Sequence, residues 1–268
     1  NAVPRAGAKT RSARKSCSKP LRSKPSDSHT MKICIFGNSH LASLKLGWDD
    51  LKSSYPDVEL IFFGSPNDTL RELDIDNGRL VPNNPVLAEK LKHTSGGREF
   101  VQPAEFDAFL LYGNFIPPRD LSIVLSRAVM TATAIDRFHQ SVTWRLARQI
   151  STLSRAPIYA SPEPASARSN IAERFSAFYS YVDVMTALIA GLAAEQLTLI
   201  AQPAETMSNA WSTRESFTKN SVRLATNELR GDVPHGERDY RHMNAEYGAL
   251  YLKNFFEICG ARKTEAAS

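Results

Sequence analysis

Two short stretches far apart in the chain carry residue types that can share one reaction: Gly37-Asn38-Ser39-His40 and Asp239-Tyr240-Arg241-His242. A serine hydroxyl is a weak nucleophile until a base takes its proton during attack on a carbonyl. His242 is the candidate base. Asp239, three residues before it, is the candidate partner that holds the imidazole in one tautomer and stabilises the imidazolium that forms. The chemistry served is acyl transfer through serine. It also needs donors aimed at the developing oxyanion, each worth roughly 100 to 1,000-fold in turnover.

Bringing these stretches together requires a scaffold. From Met31 onward, short apolar runs alternate with helical stretches, which predicts an α/β sheet with crossover helices. The predicted strands are 32–36, 58–63, 106–112, 157–160 and 197–201. Helical periodicity covers 40–54, 119–133, 136–154 and 170–195, and a last helix starts near Asn244 with Tyr247, Leu250, Tyr251, Phe255 and Ile258 on one face. Residues 68–104 read as an insertion containing the hairpin turn Asp76-Asn77-Gly78. It is longer than a usual connection, and such segments often cover active sites.

Ligands gather beyond the carboxyl ends of strands in open parallel sheets. Ser39 follows the first strand, Gly64 the second, Gly113 and Asn114 the third, Glu163 the fourth and Gln202 the fifth. The Ser39 N–H, the Gly64 N–H and the Asn114 amide are thus candidate oxyanion donors. Asn38, His40 and Gly113 are candidate pocket residues.

On these residues the chain resembles the SGNH (GDSL-like) hydrolases: a Gly-Asp-Ser-like block after the first strand, a Gly after the second, a Gly/Asn block after the third, and Asp-x-x-His before the last helix. The resemblance spans residues 31–260. It implies a three-layer α/β/α flavodoxin-like sandwich around a central, mainly parallel five-stranded sheet. It further implies Ser39 as nucleophile, Asp239 and His242 as its triad partners, and an oxyanion hole from Ser39, Gly64 and Asn114. Two positions depart from the family pattern. Asn38 stands where Asp is usual, and Gly113 and Asn114 are adjacent where the family reads Gly-x-Asn-Asp.

The implied activity is a serine esterase that cleaves an oxygen ester through an acyl-enzyme, on an acylated carbohydrate or a lipid-like ester, with no cofactor. The same residues serve an O-acyltransferase of polysaccharide modification. A non-catalytic binding protein on the same fold is the alternative from another class. Structural readings compete at each motif. Asn38 or Ser39 can cap a helix N-terminus, and Asp-x-x-His arises by chance. His40, His235, Asp239 and His242 lack a recognisable ligand spacing, so no metal is expected. Trp211 and residues 208–219 are read either as a second loop over the pocket or as ordinary surface.

Composition bounds the remaining classes. The chain has 268 residues, 42% hydrophobic, enough for a substantial core. No apolar run approaches the roughly 18 residues of a membrane span. Eight of 33 Lys and Arg, against one of 28 acids, fall in the first 30 residues, so the rest is nearly neutral. That Ser-, Lys- and Arg-rich tail is read as disordered and as an upstream extension before Met31. Nucleic acid is not an expected partner beyond a weak contact of this tail. Cys17, Cys34 and Cys259 suggest no disulfide framework, and no secretory apolar stretch of about seven residues occurs. A cytoplasmic location is the expectation.

Overall fold

A computed structural model of the chain describes residues 29–118, 126–168, 179–226 and 233–263. Residues 1–28, with Cys17, and the first parts of the expected helices at 119–133 and 170–195 lie outside the described residues. Among the described residues seven strands are formed: β1 Met31–Gly37, β2 Val58–Gly64, β3 Leu73–Asp76, β4 Arg79–Pro82, β5 Ala108–Tyr112, β6 Ile158–Ser161 and β7 Thr198–Leu199. The helices are α1 Leu41–Leu51, α2 Pro85–Thr94, α3 Arg127–His139, α4 Val142–Leu153, α5 Tyr181–Gly191 and α6 Ala245–Cys259. Among the described residues no helix is long and apolar enough to cross a membrane.

The main sheet runs β2-β1-β5-β6-β7 and every pairing in it is parallel. Counting only its own strands, this is the 2-1-3-4-5 order of flavodoxin-like sheets. Side chains alternate across the pleat. Ile33 and Ile35 of β1 enter one core with α1 and α6, whereas Cys34 and Phe36 enter the other with α2, α3, α4 and α5. Each fully buried side chain of this kind contributes about 1.5–3 kcal/mol. Both faces of β1 are therefore held, which fixes its register against β2 and β5.

Four local expectations are corrected. The break expected between residues 133 and 136 lies at Gln140-Ser141 instead. Apolar periodicity runs through both helices, but the Ser141 Oγ donates to the Phe138 carbonyl at 2.6 Å and accepts from the Trp144 N–H at 3.2 Å, ending α3 and starting α4. The fifth strand shrinks to Thr198–Leu199, because it pairs on one side only and Pro203 lies just beyond. Ile258 is 45% exposed, while Leu252 and Phe256 take the buried face of α6. Trp211 is buried: its indole N–H donates to the Tyr179 carbonyl at 2.8 Å and its ring meets Tyr181 edge-on, so it faces the core rather than a pocket.

The insertion is anchored. β3 and β4 form a hairpin around Asn77-Gly78, and Leu70, Leu73, Leu80, Leu87, Leu91 and Val101 are buried in the same core as Phe36 and Phe63. The inserted segment is thus built into the scaffold.

The helix pair α1/α6 positions the two motifs. A methyl group on Gly248 would overlap the Ser43 carbonyl, and one on Gly47 would overlap the Ala249 nitrogen. The backbones thus touch near the start of both helices. Asn244 fixes the approach to α6: its Oδ1 accepts the Tyr247 N–H at 3.1 Å, and its Nδ2 donates to the Ser216 and Lys219 carbonyls, both at 3.1 Å. Gly248→Ala forces α6 away from α1, with an expected cost of about 3 kcal/mol. Urea unfolding should show a lower midpoint at an unchanged slope.

Candidate active site

Ser39 sits in the turn between β1 and α1, where the Leu41 N–H already bonds the Asn38 carbonyl at 3.1 Å. Neither Asn38 nor Ser39 caps the helix. His40 occupies the cap position without a side-chain cap bond. The Ser39 Oγ is instead 2.9 Å from His242 Nε2, across 203 residues of chain. Asn38 bridges two strand ends: its Oδ1 accepts the His40 N–H at 3.1 Å and its Nδ2 donates to the Gly113 carbonyl at 2.6 Å. Aspartate could not make the second bond, which gives a physical reason for amide over acid here. Gly113 has φ +76°, and a Cβ there would press on the Asn38 Oδ1 at 2.9 Å.

Asp239 organises the other motif. Its Oδ1 accepts the backbone N–H groups of Arg241 at 2.9 Å and His242 at 3.0 Å, and its Oδ2 lies 2.8 Å from His242 Nδ1. A carboxylate only accepts, so Nδ1 carries the proton. His242 Nε2 is then a lone pair facing the Ser39 hydroxyl. Burial pushes Asp239 upward, but the backbone and ring donors of His242 and the Arg241 N–H outweigh it and hold the carboxyl at about 2. Burial and then the neighbouring His40 push His242 below its ordinary value, more than the Asp239 bond raises it. The imidazole is therefore neutral near pH 7.

Three imidazoles form a stack. His40 lies 4.9 Å from His242 between ring centroids, and His235 lies 3.9 Å from it, only 5° from parallel. Each outer ring meets a carboxylate: His40 Nε2 is 3.4 Å from Glu163 Oε1, and His235 Nδ1 is 3.0 Å from Asp239 Oδ2. Glu163 is nearly fully buried and also accepts from Arg241 Nη2 at 2.8 Å. Burial alone would raise its carboxyl, yet the bond to and charge of His40, then Arg241, hold it at about 2. Sequence reasoning placed Glu163 at a strand end without a role and left Arg241 unassigned. The available signals were Glu163 directly beyond β6 and His235 four residues before Asp239.

His235, Asp239 and His242 bring ligand-type atoms within 4.8 Å of one another, a grouping of the kind that can hold a metal ion. Here the His242 Nδ1 donates to the Asp239 carboxylate, so it carries a proton where a metal would need a lone pair.

The three expected oxyanion donors are placed differently. Among the described residues no acceptor meets the Ser39 N–H. Asn114 is buried, its Nδ2 reaches the Tyr112 carbonyl only at 3.3 Å, and its Oδ1 has no partner. Gly64 is corrected. It remains in register with Gly37, and its N–H donates to Thr94 Oγ1 of α2 at 2.9 Å, so it offers no free donor. Beside these groups opens a cavity of about 430 Å³, walled by Asn38, Gly113, Asn114 and Glu163 and rimmed by Asp68, Arg71, Arg137 and Gln140.

No family model matches the chain, and no curated protein matches it in sequence. Among solved structures it is similar to the periplasmic domain of the Salmonella ser. Paratyphi A lipopolysaccharide acetyltransferase, at 11% identity and a TM-score of 0.43, over 87% of this chain and 85% of that one. It is also similar to a carbohydrate esterase whose active site displays divergent catalytic and non-catalytic binding functions, at 12% identity and a TM-score of 0.39, over 91% and 68% of the two chains.

Asn38→Asp removes the donor to Gly113 and sets a carboxylate against a carbonyl; a stability loss of about 1–3 kcal/mol is expected in chemical denaturation. Glu163, held below its ordinary 4.5, contributes stability that is full above that value and is lost as the pH falls toward about 2. Glu163→Gln should flatten that part of the stability–pH curve.

Proposed function

We propose that the protein is a serine esterase of the SGNH type, with Ser39 as nucleophile, His242 as general base and Asp239 as the group that orients it. The supporting observation is the continuous line of contacts from Ser39 Oγ to His242 Nε2 at 2.9 Å and from His242 Nδ1 to Asp239 Oδ2 at 2.8 Å. The first distance suits proton transfer, and the second suits a hydrogen bond that orients the imidazole and stabilises the imidazolium.

Ser39 Oγ attacks the ester carbonyl carbon while its proton passes to His242 Nε2, and the carbonyl electron pair moves onto oxygen. Collapse of this intermediate breaks the ester bond, and the departing alcohol takes the proton from Nε2. Water then attacks the acyl-serine, again giving its proton to Nε2. The second collapse releases the acid and restores Ser39. Asp239 stays ionised throughout and stabilises the imidazolium. The oxyanion is served by the Ser39 N–H and the Asn114 amide, and Gly64 joins only if Thr94 Oγ1 releases its N–H.

The cavity next to Asn38 and Gly113 mixes polar groups (Asp68, Arg71, Arg137 and Gln140) with apolar ones (Phe115, Ile116 and Val142), which suits an acylated carbohydrate whose hydroxyls meet the former and whose acyl group meets the latter. A sugar hydroxyl in the place of water converts the second step into acyl transfer.

A fluorophosphonate probe is expected to label the folded protein at neutral pH, and Ser39→Ala should abolish labelling and lower kcat by roughly 10⁴-fold or more. Folded protein that neither takes the probe nor cleaves acetylated glycans would leave a binding protein as the better reading. Labelled acyl groups recovered in acid rather than on a glycan identify hydrolysis. Since the base works when neutral, kcat/KM should fall as the pH drops through the His242 midpoint, which lies below the ordinary 6.5.

A further inference from the structure

The loop that carries Asp239 and His242 rests on one strip of chain, residues 163–168, just beyond the end of β6. Pro162 and Pro164 flank Glu163 and restrict the backbone on both sides of it. The Glu163 N–H donates to the Phe115 carbonyl at 2.9 Å, and the N–H of the buried Ala165 donates to Gln202 Oε1 at 2.8 Å. The strip is thus fixed to the sheet before it meets the loop.

Two hydrogen bonds then join strip and loop. The Ala167 N–H donates to the Tyr240 carbonyl at 2.7 Å, and Arg241 Nη2 donates to Glu163 Oε1 at 2.8 Å. Tyr240 and Arg241 stand between Asp239 and His242 in the sequence, so whatever fixes them also fixes the acid and the imidazole. The two ends of the Glu163–Arg241 bond differ in kind. The Arg241 side chain is 64% exposed, but that of Glu163 is only 8% exposed. An ion pair exposed at both ends contributes little. Here the carboxylate is withdrawn from water, and taking away its partner leaves a buried charge uncompensated. His40 Nε2 approaches the same oxygen less closely, at 3.4 Å, so Arg241 makes the shorter contact.

We propose that Arg241 is a positioning residue for His242: its bond to the buried Glu163 pins the Asp239–His242 loop to the end of β6 and so holds the imidazole within hydrogen-bond distance of Ser39 Oγ. The proposal rests on the Ser39–His242 reading for its catalytic meaning, though not for its geometry. Placement matters at this scale, because a displacement of about 1 Å at a reacting group costs roughly 100-fold in turnover.

Arg241→Met keeps the apolar stem and removes the guanidinium. In the folded variant kcat should fall about 10-fold with KM little changed, since substrate still binds and the imidazole is no longer held at Ser39. Arg241→Lys, which restores a charged donor, should recover part of that loss. Adding Glu163→Gln to Arg241→Met should lower kcat little further, because two residues that act through one bond are not additive. The substrate-free reading is amide hydrogen exchange at Ala167 and His242, whose N–H groups bond the Tyr240 carbonyl and Asp239 Oδ1. Exchange there should quicken about 10-fold in Arg241→Met, while Ile35 in β1 keeps its rate. That reading stands even if Ser39 takes no fluorophosphonate, so the Glu163–Arg241 latch and the esterase reading fail separately. Unchanged exchange at both amides in the folded Met variant overturns the proposal. So does a loss confined to KM, which makes Arg241 a substrate contact, or losses that multiply in the double variant. If the Met variant does not fold, Arg241→Gln, with a neutral donor on a shorter stem, decides by the same exchange and kcat readings.

Discussion

Gly47 on α1 and Gly248 on α6 leave two helix backbones in direct contact, and the meeting of Ser39 with His242 depends on that proximity. The motifs occupy the turns that lead into these helices, so the spacing between helix axes becomes the spacing between the Ser39 hydroxyl and the His242 imidazole. Close-packed interiors do not absorb an extra methyl between two backbones. Asn244 adds the second constraint. By capping α6 while donating to the Ser216 and Lys219 carbonyls, it ties the Asp239–His242 loop to the turn at Glu215–Thr218.

On that frame the electrostatics are arranged around one neutral imidazole. His242 stacks with two other rings, and the nearby carboxylates are themselves engaged: Asp239 accepts two backbone N–H groups and the His242 ring N–H, and Glu163 pairs with His40 and Arg241. Both carboxyls stay ionised far below neutral pH, so neither competes with His242 for a proton. Burial then lowers His242 itself. The result is a neutral imidazole with a free Nε2 beside an ionised carboxylate.

The parts that were legible in the sequence are those encoded by local period and local chemistry. Ile33 to Phe36 reads as a doubly buried strand and is one, with both faces engaged by separate cores. Asn77-Gly78 reads as a hairpin turn and forms one. Asp-x-x-His reads as a paired acid and base because both the backbone and ring bonds of that pair are made within four residues. The boundary between α3 and α4 was not legible, since a single serine bond decides it against a continuous apolar period. Trp211 looked like a loop residue because its burial depends on Tyr179 and Tyr181, some 30 residues away.

By itself the sequence determined the alternation of strands and helices, the placement of chemistry-bearing residues at strand ends, and the serine, aspartate and histidine that meet there. Those follow from periodicity and from bonds between near neighbours in the chain. Tertiary structure alone decided which donors remain free and which side chains surround the base. The Gly64 N–H is consumed by Thr94, 30 residues on. Asn38 is locked to Gly113 across 75 residues, and His40, Glu163 and Arg241 come together from three separate elements. Each of these depends on groups whose separation in space bears no relation to their separation in sequence. A hydrogen-bonding group has one partner at a time, and folding selects which one.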